Sequence, residues 1–259
     1  MPDFLDILAE DAMKSIKEGY YETASEAAAS PSSLKEAILK CERAPIIAEI
    51  KPTSPSMGTL RRNSHVGKIA KSMEEGGVVG ISILTEPKHF GGHIKFISKV
   101  RKQIKVSILM KDIILNPVQI EAASRSGANA VLLIQSLFDR GYCEKNIQSM
   151  IKYSHAKGLE ALLEVHTEDE FLSAVKTEAD MIGINNRNLK TLEVDLQATK
   201  RILMKYYVED KVIVSESGIN SPKDICFLRG CGAQAFLVGT AIMKASNIKE
   251  KVKELVEAL

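Results

Sequence analysis

At 259 residues, 45% of them hydrophobic and 26% charged, the chain has ample apolar material for a large core, which excludes disorder as a general description. Thirty-five Lys and Arg against 33 Asp and Glu leave a formal charge of +2, short of the basic excess of a nucleic-acid or anionic-membrane binder, so neither partner is expected and any anion must be captured by a local site. The length fits one eight-fold α/β barrel of roughly 250 residues, so a single domain over residues 1–259 is expected.

The chain begins Met1-Pro2-Asp3-Phe4-Leu5-Asp6, with an acid where a secretory signal would carry a basic segment and then a continuous apolar run. No apolar stretch approaches the ~20 residues needed to cross a bilayer, and a cytoplasmic protein is expected. Residues 1–45 form a helical extension, with helical stretches at 3–17 and 31–42 separated by a segment rich in Ala and Ser. No linker-like stretch separates the extension from the rest of the chain.

From residue 46 to 259, short runs of β-branched or aliphatic residues alternate with longer segments of helical periodicity, the pattern of βαβ units and a parallel sheet. Strands are predicted at 46–50, 80–84, 107–110, 130–134, 160–164, 181–184, 212–214 and 235–238. Helices are predicted at 66–75, 94–102, 117–126, 145–157, 168–175, 196–205, 221–228 and 248–257. Gly127 and Gly158 punctuate element ends, and Ser221-Pro222 has the order that starts a helix. Ala130-Val131-Leu132-Leu133-Ile134 is apolar throughout, as a strand buried on both faces must be. The pattern implies a (β/α)8 barrel; the Gly-x-Gly-x-x-Gly turn of an open dinucleotide-binding sheet is absent after the first strand. The long loop 52–63, with Pro52, Pro55 and Gly58, is expected to act as a lid.

Active sites of such barrels lie at the C-terminal ends of the strands. There the first strand delivers Glu49 and Lys51, the third Lys111, the fifth Glu164, the sixth Asn185, the seventh Ser215-Glu216-Ser217-Gly218 and the eighth Gly239-Thr240. Glu49 and Lys51 are two residues apart and share a facing. Singly, each charged residue could be a solvated strand end or half of a barrel-lining ion pair. Three carboxylates and two lysines around one opening point instead to acid–base chemistry, because clustered charges and burial move pKa values toward neutrality. Ser217-Gly218 and Gly239-Thr240 come after the last two strands, where barrels commonly seat phosphate on backbone N–H groups and a short helix start.

His65, His89, His93, His155 and His166 lack metal-site spacing, and His166 reads as a loop residue. No metal is expected. Cys41, Cys143, Cys226 and Cys231 show no Cys-x-x-Cys pair and are expected to be free thiols.

The stretch Ile47-Ala48-Glu49-Ile50-Lys51-Pro52-Thr53-Ser54-Pro55-Ser56 closely resembles the first-strand signature of indole-3-glycerol-phosphate synthases. Ser82-Ile83-Leu84-Thr85-Glu86, Ile108-Leu109-Met110-Lys111-Asp112, Leu163-Glu164-Val165-His166, Gly183-Ile184-Asn185-Asn186-Arg187-Asn188-Leu189, Ser215-Glu216-Ser217-Gly218-Ile219 and Phe236-Leu237-Val238-Gly239-Thr240 agree in order and spacing. The resemblance implies a sugar-phosphate substrate, 1-(2-carboxyphenylamino)-1-deoxyribulose 5-phosphate, and ring closure, decarboxylation and dehydration without a cofactor, in a monomer or weak homodimer. By the same resemblance Lys111 is the general acid, Glu164 and Lys51 handle the protons of dehydration, and Glu49, Asn185 and Glu216 orient these groups. Lys51, Ser54, Arg187, Ser217, Gly218, Gly239 and Thr240 would bind the phosphate and nearby polar groups, and Phe90, Leu132 and Leu189 would pack on the anthranilate ring. The chain departs from the family at Thr53, often basic in relatives, and at Ile113, often phenylalanine. Other readings are a phosphoribosylanthranilate isomerase, a Schiff-base aldolase, or a non-catalytic phosphometabolite-binding barrel.

Overall fold

The computed structural model describes residues 3–24, 26–28, 32–54, 58–59, 65–189, 191–206 and 208–259. Its centre is a ring of eight parallel strands: β1 (Ile46–Ile50), β2 (Gly80–Leu84), β3 (Ser107–Lys111), β4 (Ala130–Ile134), β5 (Glu160–Val165), β6 (Met181–Asn185), β7 (Val212–Glu216) and β8 (Ala235–Val238). Each pairs in parallel with its neighbours in sequence, and β1 pairs with both β2 and β8, so the sheet closes. The fold is a (β/α)8 barrel with an N-terminal helical extension.

Alternation along the strands builds two cores. On β4, Val131 and Leu133 join the outer layer with helix residues such as Ile120 and Met150, whereas Ala130, Leu132 and Ile134 join an inner layer with Ile47, Leu109, Leu162 and Leu237. Both faces of the strand are thereby buried, which is why the run is apolar at every position. The helices start on local chemistry that the sequence displays. The Asn116 side chain accepts from Val118 N at 2.9 Å ahead of Pro117, Thr167 caps Glu168–Val175, and Gly127 ends Pro117–Ser126 in the left-handed conformation.

Four strands run one or two residues further than the apolar pattern suggests, ending at Lys111, Val165, Asn185 and Glu216. The ladder continues there, with Leu84 opposite Lys111 and Asn185 opposite Glu216, although at three of the four ends, Lys111, Asn185 and Glu216, the side chain has turned polar. Two five-residue helices, Gln135–Asp139 and Thr240–Lys244, come after β4 and β8 and are too short to show a periodicity. The second extension helix is Leu34–Leu39, shorter than expected, and starts on the Ser33 cap. Most of the expected lid, residues 55–57 and 60–64, lies outside the described residues.

The extension covers both ends of the barrel. Helix Phe4–Lys17 lies at the C-terminal mouth, where Arg140 pairs with Asp3 and Asp6 at 2.7 Å each. A 3-10 turn, Tyr20–Thr23, is tied to the end of β2, with the Tyr20 hydroxyl donating to Thr85 O at 2.9 Å. The Tyr21 hydroxyl donates to Asp112 Oδ1 at 3.1 Å. At the opposite end Leu34 N donates to Glu160 Oε2 at 2.7 Å, at the start of β5. Leu34 is fully buried there and packs so closely over β2 that a Cβ on Gly80 would lie 2.5 Å from Leu34 Cδ1. Among the described residues no helix is long and apolar enough to cross a membrane.

Truncating Leu34 leaves a cavity that the closed ring of strands cannot collapse into. Leu34→Ala is expected to lose about 2–5 kcal/mol of unfolding free energy in urea denaturation. A loss below about 1 kcal/mol would show that this helix does not seal the barrel.

Candidate active site

Polar residues from the ends of five different strands converge in space. β3 raises Lys111 at its last position, and its ammonium lies 2.7 Å from Glu216 Oε2 at the end of β7 and 3.1 Å from Glu164 Oε2 near the end of β5. Asn185, ending β6 between them, donates from Nδ2 to Glu164 Oε1 at 3.1 Å. On β1, Glu49 and Lys51 pair at 2.9 Å, as their shared facing requires.

The Glu216 carboxylate can approach this closely because β6 offers it a backbone with no side chain. A Cβ on Gly183 would overlap Glu216 Oε1, and one on Gly239 would lie 2.5 Å from Glu49 Oε1. Two of the three carboxylates therefore rest on glycines, Gly183 within β6 and Gly239 just after β8.

The electrostatics come from Lys111 among three buried carboxylates, one of which is also paired with Lys51. Burial disfavours the charged form of Lys111, but Glu216, Glu164 and Glu49 outweigh it and hold the ammonium far above its usual range. Burial also works against ionised Glu164, yet Lys111, His166 and Asn185 keep it well below the usual carboxylate range. For Glu216 the balance tips the other way. Burial, opposed by Lys111 but reinforced by Glu164 and Glu49, pushes its carboxyl up to about 7. Glu49 is held low against burial by Lys51 and Lys111. The site thus contains a fixed ammonium, a fixed carboxylate and a carboxyl poised near neutrality.

Facing these groups are two backbone turns. Ser217 and Gly218 after β7 both have left-handed backbones, with φ of 67° and 85°. A non-glycine residue held there costs on the order of 1–3 kcal/mol, a strain typical of ligand-holding loops. Asn186 braces the turn, donating from Nδ2 to Glu216 O at 2.9 Å and Ser217 O at 3.2 Å. After β8, Gly239 precedes the short helix Thr240–Lys244, whose first turn faces the opening. Arg187 crosses the rim, its backbone N donating to Asn185 Oδ1 at 3.0 Å and its guanidinium to Leu192 O at 2.7 Å.

Glu49, Lys51, Lys111, Glu164, Asn185, Arg187, Glu216, Ser217, Gly218, Gly239, Thr240, Phe90, Leu132 and Leu189 all line one cavity of about 470 Å³. Every site residue singled out in the sequence is therefore brought to this mouth except Ser54, whose side chain lies outside the described residues. Ile113, where the pocket wall departs from the family pattern, also lines it, together with Phe4, Leu5 and Leu8 of the extension. Sequence reasoning gave no role to Glu86. Its buried carboxylate accepts from the backbone N of Lys88, His89 and Phe90 at 2.8, 2.7 and 3.0 Å, folding the loop that presents Phe90. Glu86 sits within the motif Ser82-Ile83-Leu84-Thr85-Glu86, so a signal was present, but a carboxylate used to shape a turn looks like any other in sequence. Thr53 N donates to Phe90 O at 3.2 Å, as any non-proline residue there could, and the Thr53 hydroxyl lies 3.5 Å from His89 O in the same loop. Among the described residues no group of three or more His, Cys, Asp or Glu side chains could hold a metal ion.

A profile of the family described as indole-3-glycerol phosphate synthase matches residues 7–255. The chain belongs to the indole-3-glycerol phosphate synthase family. The indole-3-glycerol phosphate synthase of Methanocaldococcus jannaschii is 43% identical over 227 residues, covering 86% of this chain and 82% of that protein. Those of Desulforamulus reducens and Methanopyrus kandleri are 38% and 40% identical, each over 82% of this chain, with 79% and 83% of those proteins covered. A thiamine phosphate pyrophosphorylase from Pyrococcus furiosus shares the fold alone, at 15% identity and a TM-score of 0.61 over 87% of this chain and 97% of its own. Within the synthase family barrel, the clustered carboxylates of this chain give two measurable expectations.

In a carbon-detected NMR titration the Glu216 carboxyl should protonate near pH 7, and turnover should fall as pH drops through that value, because the neutral form no longer balances Lys111. A Glu216 titrating near about 4.3, the unperturbed value, would contradict the geometry. Gly183→Ala should displace Glu216 and lower kcat by about tenfold or more, measured by steady-state kinetics, with the fold retained by circular dichroism.

Proposed function

We propose that this protein converts 1-(2-carboxyphenylamino)-1-deoxyribulose 5-phosphate to indole-3-glycerol phosphate, carbon dioxide and water, as a cytoplasmic carboxy-lyase of tryptophan biosynthesis that needs no cofactor. The observation that carries this reading is the Lys111 ammonium, fixed between Glu164 and Glu216 in the same cavity as the Ser217-Gly218 and Gly239-Thr240 turns.

The substrate has an anionic phosphate at one end and an aromatic acid at the other, and the cavity is divided accordingly. Backbone N–H groups at Gly218, Gly239 and Thr240, the Ser217 hydroxyl, Lys51 and Arg187 form the phosphate side, with Ser54 as a further contact. Phe90, Leu132 and Leu189 form the apolar side for the anthranilate ring.

Ring closure joins the aromatic carbon that bears the carboxylate to the ketose carbonyl carbon. Lys111 donates a proton to the carbonyl oxygen as the bond forms, leaving an alcohol and a cationic ring system. Glu49 and Glu216 offset that positive charge in a water-poor setting, and Asn185 keeps Glu164 in place. The bond to the carboxylate then breaks, carbon dioxide leaves, and its electron pair restores the benzene ring. In dehydration the Lys51 ammonium supplies the proton with which the hydroxyl leaves as water. Glu164, ionised across the working range, takes the proton from the adjacent carbon and completes the indole.

An aldolase that forms a Schiff base needs a neutral lysine, and the carboxylates around Lys111 hold it charged. We further propose that residues 1–259 act as one domain, extension 1–45 with barrel 46–259, as a monomer or weak homodimer with no nucleic-acid or membrane partner.

The test is a fluorescence assay for indole-3-glycerol phosphate formed from the carboxyphenylamino sugar phosphate. Wild type should be active, Lys111→Ala should lose at least about 10²-fold in kcat, and Glu164→Gln should be impaired. A Lys111→Ala protein with near wild-type turnover would remove Lys111 as the acid.

A further inference from the structure

Glu164 has a second basic neighbour, placed behind it rather than on the cavity wall. His166 stands two residues later on the loop between β5 and helix Glu168–Val175, with only 9% of its side chain exposed. It is not among the residues that line the cavity. Its Nε2 lies 3.2 Å from Glu164 Oε1 and its Nδ1 3.6 Å from Glu170 Oε2. Both ring nitrogens are shut off from solvent, and each has a carboxylate oxygen within ion-pair distance. Glu170 is itself fixed, accepting from the His166 backbone N at 2.6 Å and from Ser136 Oγ at 2.5 Å.

The two oxygens of Glu164 are thus divided. Oε2 faces Lys111 from β3, while Oε1 receives Asn185 from β6 and faces His166. Among the described residues, Glu164 on β5 and Glu170 on the next helix are the charged groups within ion-pair distance of the ring.

We infer that His166 is a positioning residue for the reaction, a buried imidazolium bridging Glu164 and Glu170 that holds Glu164 ionised and aimed at Lys111. A neutral ring would leave Glu170 as a largely buried carboxylate without a counter-charge and two imidazole nitrogens without partners, which is the costlier arrangement. Burial alone would lower the imidazole, and the two carboxylates outweigh it and raise it to about 9. His166 would then stay charged throughout the physiological range, acting as a fixed counter-ion and not as a titrating switch.

The inference rests on the proposed role of Glu164, and the experiment separates the two. Wild type, His166→Gln, Glu170→Gln and Glu164→Gln are compared by pH–rate profile and by NMR of 13C-labelled histidine. In the wild type the His166 resonance should remain that of an imidazolium to about pH 9, and it should deprotonate at lower pH in Glu164→Gln and Glu170→Gln. His166→Gln removes a positive charge beside the Glu164 and Glu216 pair, so the acid limb of kcat should move up by about one pH unit, a tenfold loss on that limb, with KM nearly unchanged. A His166 resonance that titrates near about 6.5 in the wild type overturns the inference without needing any variant to fold. So does an unshifted limb in a folded His166→Gln protein while Glu164→Gln is impaired. Full activity in Glu164→Gln would instead overturn the role of Glu164, and the inference with it.

Discussion

The Lys111 ammonium stands at the mouth of the barrel among three buried carboxylates, and most of the site's architecture can be understood as what it takes to keep it there. An isolated charge in such a place would cost several kcal/mol after relaxation, so it persists only where partners are in contact. Glu216 at 2.7 Å and Glu164 at 3.1 Å meet that need, but they bring a new difficulty, because like charges around one cation repel. The chain resolves it unevenly. Glu164 is held low by Lys111, His166 and Asn185, whereas Glu216 is left near neutrality. An ammonium available as an acid, a carboxylate available as a base and a reserve carboxyl thus arise from a single packing problem.

That packing is possible because the groups come from rigid strands and not from mobile loops. Lys111, Asn185 and Glu216 are the last paired residues of β3, β6 and β7, and Glu164 is the last but one of β5, so their backbones are fixed by ladder hydrogen bonds. Gly183 and Gly239 then supply what no side chain could, an open patch of neighbouring backbone against which a carboxylate can lie. The extension closes the arrangement from outside. Phe4, Leu5 and Leu8 form part of the cavity wall, and Tyr21 reaches Asp112, the residue beside Lys111, whose carboxyl is pushed up to about 6 by burial despite hydrogen bonds from Thr85 and Tyr21.

How much of this is legible in the sequence depends on whether a feature leaves a local trace. β4 can be read residue for residue because burial on both faces leaves only apolar side chains. The ends of β6 and β7 cannot, since Asn185 and Glu216 are polar for reasons of chemistry while their backbones continue the ladder. The charged residues at the strand ends are visible as exceptions to an apolar pattern, and the family resemblance supplies the roles proposed for them. His166 reads in sequence as a loop residue because its partners, Glu164 and Glu170, flank it on two different elements, and only the folded chain closes the ring between them. Gly183 stands in a stretch that matches the family, but the sequence does not show why it is glycine, because its contribution is the absence of a side chain beside a residue 33 positions away.

One cavity, on this reading, holds a carboxylate-clamped ammonium on one side and an anion seat on the other. A crystal structure with indole-3-glycerol phosphate bound tests that arrangement most directly. Phosphate oxygens are expected about 3 Å from backbone nitrogens of the Ser217-Gly218 and Gly239-Thr240 turns, with the indole ring beside Phe90 and Leu132 and the Lys111 ammonium still between Glu164 and Glu216. A phosphate bound away from these turns, or Lys111 rotated out of the cavity, would contradict it.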